Sequence, residues 1–533
     1  MRAGAPFLLV LWALGACGAP IPIDVLVVEP CNQRVIAGID VLELRPYGRG
    51  IETARLTAVR RVEDQASLPV EIPLAPDFQM EVLGYAGDTH RPPSAMGLSA
   101  VRDLTGEEAA VAIPVPIARI DAFHQTTPAA EPALCAELAA GRYGATATRL
   151  PGSGRVLIVG GLEAKGGPGE LAPGPEVYDP ETGAFTRLEV DDLALRRAFH
   201  TATLLTGDRV LIAGGQVPPT GRSTTLKTLR TAVVIDAEDP DRVRVSAEIR
   251  MREARTGHAA AQVSDGRVLI VGGRVLVATA TRAEGHEYLG SLEIFDPEAL
   301  AFSEAQGPAG RPATLRAPRF GHSVTAFETG VDVLIAGGFN ADGPVRPIEL
   351  VHLTPSGRLE AVTSSAATTE VGPIFHAASL VDGGRVLLSG GYGTIEEAEP
   401  RAGLPRNPRA AVEMWAYVPE TKRLIETCEG TMAEARGYHT VATIGRRAVI
   451  IGGRGQDGTP TASAEIATMI NGRECFDGAP ALLRMATPRA QHSTVALGDS
   501  ELLVIGGRRH DDARDQLGHS LTTAEILLLS PRP

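Results

Sequence analysis

One pattern constrains this chain more than any other. A short apolar run ending in Gly-Gly occurs seven times: Val156-Leu-Ile-Val-Gly160-Gly161, Val210-Leu-Ile-Ala-Gly214-Gly215, Val268-Leu-Ile-Val-Gly272-Gly273, Val333-Leu-Ile-Ala-Gly337-Gly338, Val386-Leu-Leu-Ser-Gly390-Gly391, Val449-Ile-Ile-Gly452-Gly453 and Leu502-Leu-Val-Ile-Gly506-Gly507. The successive copies lie 54, 58, 65, 53, 62 and 54 residues apart. Self-similarity at such a period is the mark of a repeat architecture. Upstream of most copies stands Arg-x-x-His and a strand of small residues, as in Arg255-Thr-Gly-His258-Ala-Ala-Ala and Arg436-Gly-Tyr-His439-Thr-Val-Ala. Downstream come a variable loop, a third strand such as Glu293-Ile-Phe-Asp-Pro297, and a weaker fourth strand such as Ala184-Phe-Thr-Arg-Leu188. Seven units of four strands predict an all-β chain dominated by a seven-bladed β-propeller.

The double glycine, the spaced Glu and the Tyr/Phe-Asp-Pro turn resemble the kelch repeat over roughly residues 142–530. Two departures are visible. Kelch units carry a tryptophan on the fourth strand, where Phe185, Phe302, Leu359 and Leu424 stand here. The first unit has Ala145 at the histidine place, and the fifth has Pro373 at the arginine place. The glycines are expected where the second strand leaves the crowded space between blades, because only Gly tolerates both positive φ and a close backbone. The last unit ends after its third strand, Glu525–Ser530. Residues 118–135 are therefore expected to return as its outer strand, since an unclosed ring leaves an exposed edge.

The N-terminus reads as an address. Ala5–Ala16 is too short to span a bilayer as a helix but fits the apolar core of a signal peptide. Leu14-Gly15-Ala16-Cys17 resembles the bacterial lipoprotein box, which implies cleavage before Cys17 and lipidation of that residue. Gly18 after the cysteine implies an outer-membrane destination in a Gram-negative cell. The expected organisation is a leader over 1–17, a β-sandwich of immunoglobulin-like or transthyretin-like type over 18–117, and the propeller over 118–533. In the sandwich, Pro114 and Pro116 are expected to place the last strand at an edge or to end it.

Candidate chemistry is sparse. A formal charge of −13 without a basic tract excludes nucleic acid as a partner. His200, His258, His322, His376, His439 and His492 share one repeat place; points spread around a ring do not converge within zinc-bond length, so a structural role and no metal are expected. Cys31, Cys135, Cys428 and Cys475 are disulfide candidates, with the pairing 31–135 and 428–475 chosen from three connectivities. His510, Asp511, Asp512, Asp515 and His519, like Glu396, Glu397 and Glu399, are read as solvated loop charge. No Gly-x-Ser-x-Gly, His-Glu-x-x-His or phosphate-binding Gly-rich motif is present. Secreted kelch propellers include copper-radical oxidases of the galactose oxidase type. Their Tyr–Cys pair, second Tyr and two His have no evident counterpart, so no cofactor and no catalysis are expected.

The long loops after the glycine pairs (162–175, 216–230, 274–290, 392–409 and 508–521) share one face, where insertion-rich sequence gathers as it does on binding surfaces. Tyr288, Phe339, Tyr392, Arg508 and His510 are the binding-face candidates. The resulting expectation is a monomeric, membrane-anchored binding module for a protein or an envelope polymer. The alternative is an extracellular oxidase or lyase on the same scaffold.

Overall fold

The computed structural model describes residues 21–530, apart from single residues, runs of two or three, and the stretches 62–66, 106–110, 219–226, 278–284, 362–367, 369–372, 396–404, 469–481 and 511–517. Residues 1–20, Cys17 among them, and Asp511, Asp512, Asp515, Glu396, Glu397, Glu399 and Cys475 lie outside the described residues. The chain divides into two units: residues 1–120 with 127–135, and residues 121–126 with 136–533.

The first unit contains β1 (Ile21–Val28), β2 (Val41–Tyr47), β3 (Ala58–Arg61), β4 (Ser67–Ile72), β5 (Gln79–Tyr85), β6 (Ala95–Leu98) and β7 (Val111–Arg119). They form one continuous path, β3-β2-β5-β6-β7-β1-β4. Alternation sends Leu42, Leu44, Met80, Val82, Ile113, Val115 and Ile117 into one core. The prolines do not put β7 at an edge. Val111–Pro116 pairs in parallel with β1, whereas Ile117–Arg119 pairs with β6. Pro114 and Pro116 therefore occupy the half of β7 with a strand on one side only, where a missing N–H is tolerated. Cys31 and Cys135 form a disulfide across 104 residues of sequence. A loop of that length stabilises chiefly by restricting the unfolded chain. Replacing both cysteines by serine should lower the unfolding free energy of this unit by about 2–4 kcal/mol, read from urea titrations; unchanged titrations would show the cross-link to be idle. Cys428 is disulfide-bonded as well.

The second unit is a seven-bladed β-propeller. In blade 1 the strands are Thr146–Arg149, Val156–Val159, Glu176–Asp179 and Ala184–Arg187, hydrogen-bonded in sequence order. The same meander recurs in every blade, the fourth strand of blade 2 being split into Arg244–Val245 and Ile249–Arg250. Blade 7 takes its fourth strand from the chain before blade 1. The strand β8 (Ala122–Gln125) pairs antiparallel with Ala524–Leu528, with Phe123 opposite Leu527.

Why the middle of each second strand is apolar on both faces follows from what covers it. Seven apolar clusters lie one at each interface between adjacent blades. Val156 and Ile158 face blade 7, while Leu157 and Val159 face blade 2. Both faces of such a strand are buried, so the period-two alternation of a half-exposed strand disappears. A single blade covers neither face of its own second strand, so the fold is stable only as a closed ring. Where that strand ends, both glycines have positive φ; Gly452 is at 60° and Gly453 at 100°. A Cβ on Gly452 would stand 2.6 Å from the Arg489 carbonyl oxygen of the next blade.

Candidate functional site

The Arg-x-x-His segments build the centre of the propeller, and each of the four places has its own task. Arg142, Arg255, Arg319, Arg436 and Arg489 are fully buried. Each donates to the carbonyl of the first glycine in its own blade and pairs with a buried glutamate on the third strand: Glu176, Glu293, Glu349, Glu465 and Glu525. Blade 2 has Val233 at the glutamate place, and Arg197 donates instead to the carbonyls of Ala194, Gly214 and Thr231. Blade 5 has Pro373 at the arginine place, and Arg409 approaches Glu413 at 3.8 Å in its stead.

The histidines reach backwards to the preceding blade. His200, His258, His376, His439 and His492 bond through Nε2 to Thr146, Thr201, Ser323, Ser389 and Thr440 at 2.8–2.9 Å. His322 packs against Gly272 in the equivalent place. Their partners are thus mainly side-chain hydroxyls of the neighbouring blade. Burial away from water, reinforced by the adjacent arginine, depresses His200 to about 3. The imidazoles are neutral struts between blades.

The residue just before each histidine place lines the axis. Gly144, Phe199, Gly257, Gly321, Phe375, Tyr438 and Gln491 all adopt positive φ, between 52° and 66°. Their backbones join in a ring of hydrogen bonds: Phe199 N–H donates to Gly144, Phe375 to Gly321, Tyr438 to Phe375, Gln491 to Tyr438 and Gly144 to Gln491. Gly321 donates to Gly257, and Thr256 Oγ1 bridges to the Phe199 carbonyl. Glycine satisfies this geometry in three blades. Phe, Phe, Tyr and Gln adopt it in the others at a cost of about 1–2 kcal/mol each. Strain of that kind marks positions kept for their side chains. Part of the filling is steric, since a Cβ on Gly321 would stand 2.8 Å from the Phe375 ring.

Just outside this ring, the residue after each glycine pair bridges to the residue after each arginine place. The pairs are Tyr143–Leu162, Ala198–Gln216, Thr256–Arg274, Phe320–Phe339, Ile374–Tyr392, Gly437–Arg454 and Ala490–Arg508. This gathers an aromatic cluster of Phe320, Phe339, Tyr392, Tyr288, Phe375 and Tyr438. Tyr288 lies 5.9 Å from Phe339, and Tyr392 lies 5.7 Å from Tyr438, between ring centroids. Arg274 sits over Phe320 at 4.3 Å and Arg508 over Tyr143 at 4.4 Å. Arg454 Nη2 donates to His510 Nε2 at 2.7 Å. Burial raises the Tyr438 phenol far above its ordinary value, against the pull of Arg454, Arg274 and Arg508. All five binding-face candidates therefore belong to the axial mouth. Tyr143, Phe199, Arg274, Phe320, Phe375, Tyr438 and Arg454 were not among them. Aligning the two variable places of Arg-x-x-His, and the residue after Gly-Gly, across the seven units would have found them.

A Tyr–Cys copper centre does not fit this mouth. The repeat histidines are engaged between blades, and Cys31, Cys135 and Cys428 are in disulfides. Among the described residues, no group of three or more His, Cys, Asp or Glu could hold a metal ion. Nor is any helix among them long and apolar enough to cross a membrane.

No protein-family model matches the chain, nor does any curated protein. The solved structures do. The fold is similar to that of a fungal alcohol oxidase of the AA5 family, solved in complex with copper, with 14% sequence identity and a TM-score of 0.52 over 74% of this chain and 75% of that one. The expectation that this propeller is no enzyme is corrected by that match: a fold shared with an oxidase over three quarters of both chains removes the ground for a non-catalytic reading.

Proposed function

We infer that the chain is an exported enzyme, an oxidase or lyase on a kelch-type propeller, whose active site is the axial mouth. The observation that carries this reading is the convergence of strained Tyr438 with Tyr392, Tyr143 and three arginines at one end of the channel. Concave sites lined by aromatics with a few polar groups are where small ligands bind. The described donor set supports acid–base rather than copper-radical chemistry. A buried phenol stays protonated at neutral pH and can give its proton to a departing alkoxide. The proposal includes export and lipid anchoring at Cys17, with the N-terminal unit as a sandwich-type spacer; a Cys17→Ser chain that still fractionates with membranes would remove the anchor.

The test is turnover by the purified full chain on a panel of polyols and polysaccharides, with and without added copper. Peroxide release reports oxidation, and the ultraviolet absorbance of an unsaturated product reports elimination. Tyr438→Phe should cut turnover roughly 100-fold or more, the usual worth of a general acid, with an unchanged circular dichroism spectrum. An inert wild type, or a fully active variant, would overturn the reading.

A further inference from the structure

Blade 2 departs from the repeat just before its arginine. Four places before the arginine, five other blades bury an apolar side chain: Leu138, Met251, Leu315, Met432 and Met485 are each at most 6% exposed. Leu193, at the same place, is 76% exposed. The cause lies in the third strand. In those five blades the buried glutamate also accepts the amide three places before the arginine, from Ala139, Arg252, Arg316, Ala433 or Ala486. Blade 2 carries Val233 at the glutamate place, and that hold is missing. Its segment forms a short 3₁₀ helix instead, Leu193–Leu195, tied down by Arg197. Arg197 Nε donates to the Ala194 carbonyl at 2.8 Å, and its amide donates to the Leu195 carbonyl at 2.9 Å. Leu195 takes the core place, 1% exposed, and Leu193 is presented outward on a fixed turn.

Beside Leu193 lies a half-open cavity of about 390 Å³, lined also by Val190, Ala194, Val243 and Val245, with Glu189 and Ser246 as its polar members. The split fourth strand of blade 2 borders it. Ser246 Oγ accepts the Val234 amide, and the ladder resumes only at Ile249. An outward leucine next to an open hollow is a knob and a hole on one patch. A two-fold axis pairs such a patch with itself, since each copy then supplies both parts. The charges agree. Exposed Glu189 precedes Leu193 in the chain, and exposed Arg196 follows it. An antiparallel overlay centred on Leu193 sets Glu189 of one copy against Arg196 of the other, on both sides of the axis.

We propose that the blade 2 rim is the contact face of a symmetric dimer of this chain, with Leu193 of each copy seated in the cavity of the other and Glu189 paired with Arg196 across the axis. Burial of the leucine drives the association. The two ion pairs fix its register. The contact stands apart from the axial mouth, and it holds whether or not the mouth is catalytic.

The test is sedimentation equilibrium of the full chain over a roughly hundredfold range of protein concentration. The wild type should pass from monomer to dimer across that range and assemble no further. Leu193→Asp should raise the dissociation constant at least tenfold with an unchanged melting curve, since the side chain is exposed in the monomer. Glu189→Arg and Arg196→Glu should each weaken the dimer, and the double variant should regain most of the loss. Surface charge changes of this kind leave the fold intact, so they decide the matter where Leu193→Asp alters melting. A wild type that stays monomeric or assembles beyond a dimer, a Leu193→Asp chain that dimerises as tightly as the wild type, or a double variant no tighter than its singles would each overturn the proposal.

Discussion

Lowering the pH from 7 to about 4 should unfold the propeller cooperatively, with a midpoint at roughly pH 5. Six repeat histidines are buried as neutral rings, with burial the first cause and neighbouring arginines the usual second. His200 and His492 are depressed to about 3, His376 to about 4, and His258, His322 and His439 well below the ordinary value. Above about pH 6.5 neither the folded nor the unfolded chain binds protons at these sites, so they contribute no pH dependence. Below it the unfolded chain binds them and the folded chain does not. Stability then falls until the folded values, at pH 3 to 4, are reached. Each histidine contributes about 1.4 kcal/mol per pH unit, and six together roughly 8. That slope exhausts a typical unfolding free energy of about 5–15 kcal/mol within one to two units. The measurement is urea unfolding at a series of pH values, followed through Trp415. His492→Gln should reduce the proton uptake on unfolding by about one. Equal stability at pH 7 and pH 5 would show that the histidines titrate normally in the fold.

The same histidines show what the sequence could disclose. Their repeat spacing, with the apolar runs and the glycine pairs, marks every blade, because each blade must meet the same two neighbours in the same way. The closing strand was also legible, since a last unit with three strands demands a fourth from elsewhere. The axial mouth was harder to see. Its residues, such as Tyr438 and Arg454, are not a motif in any one unit, and they approach one another only when the ring closes. Their signal is departure from the repeat: Tyr438 where Gly144, Gly257 and Gly321 stand, and Arg454 where Leu162 and Phe339 stand. Strand β6 leaves little trace in the sequence because Ala95-Met-Gly-Leu98 carries no β-branched residue. Its Gly97 is needed for close approach to β7, where a Cβ would lie 3.1 Å from the Ile117 Cα.

Glu525→Ala should cost the propeller about 3–5 kcal/mol, the usual consequence of stripping one partner from a buried ion pair. Glu525 is fully buried and holds three donors. Arg489 Nη2 stands 2.6 Å from Oε1, and the amides of Ala486 and Thr487 donate to the same carboxylate at 2.7 and 3.2 Å. The carboxylate thus neutralises the guanidinium and also pins the turn that enters blade 7. The two tasks can be separated. In the double variant Arg489→Met, Glu525→Leu the uncompensated charge is gone, and hydrophobic replacement of a buried pair is often neutral. The Ala486 and Thr487 amides still lack an acceptor, so a deficit of roughly 1–3 kcal/mol should persist. Blade 2 supports the distinction, since Arg197 is buried there without a glutamate and is served by three carbonyls and the Thr231 hydroxyl. Urea titrations of the single and double variants decide it: a single-variant loss below about 1 kcal/mol would mean that carbonyls suffice at every blade, while full recovery in the double variant would mean that the glutamates serve charge balance and not the turn.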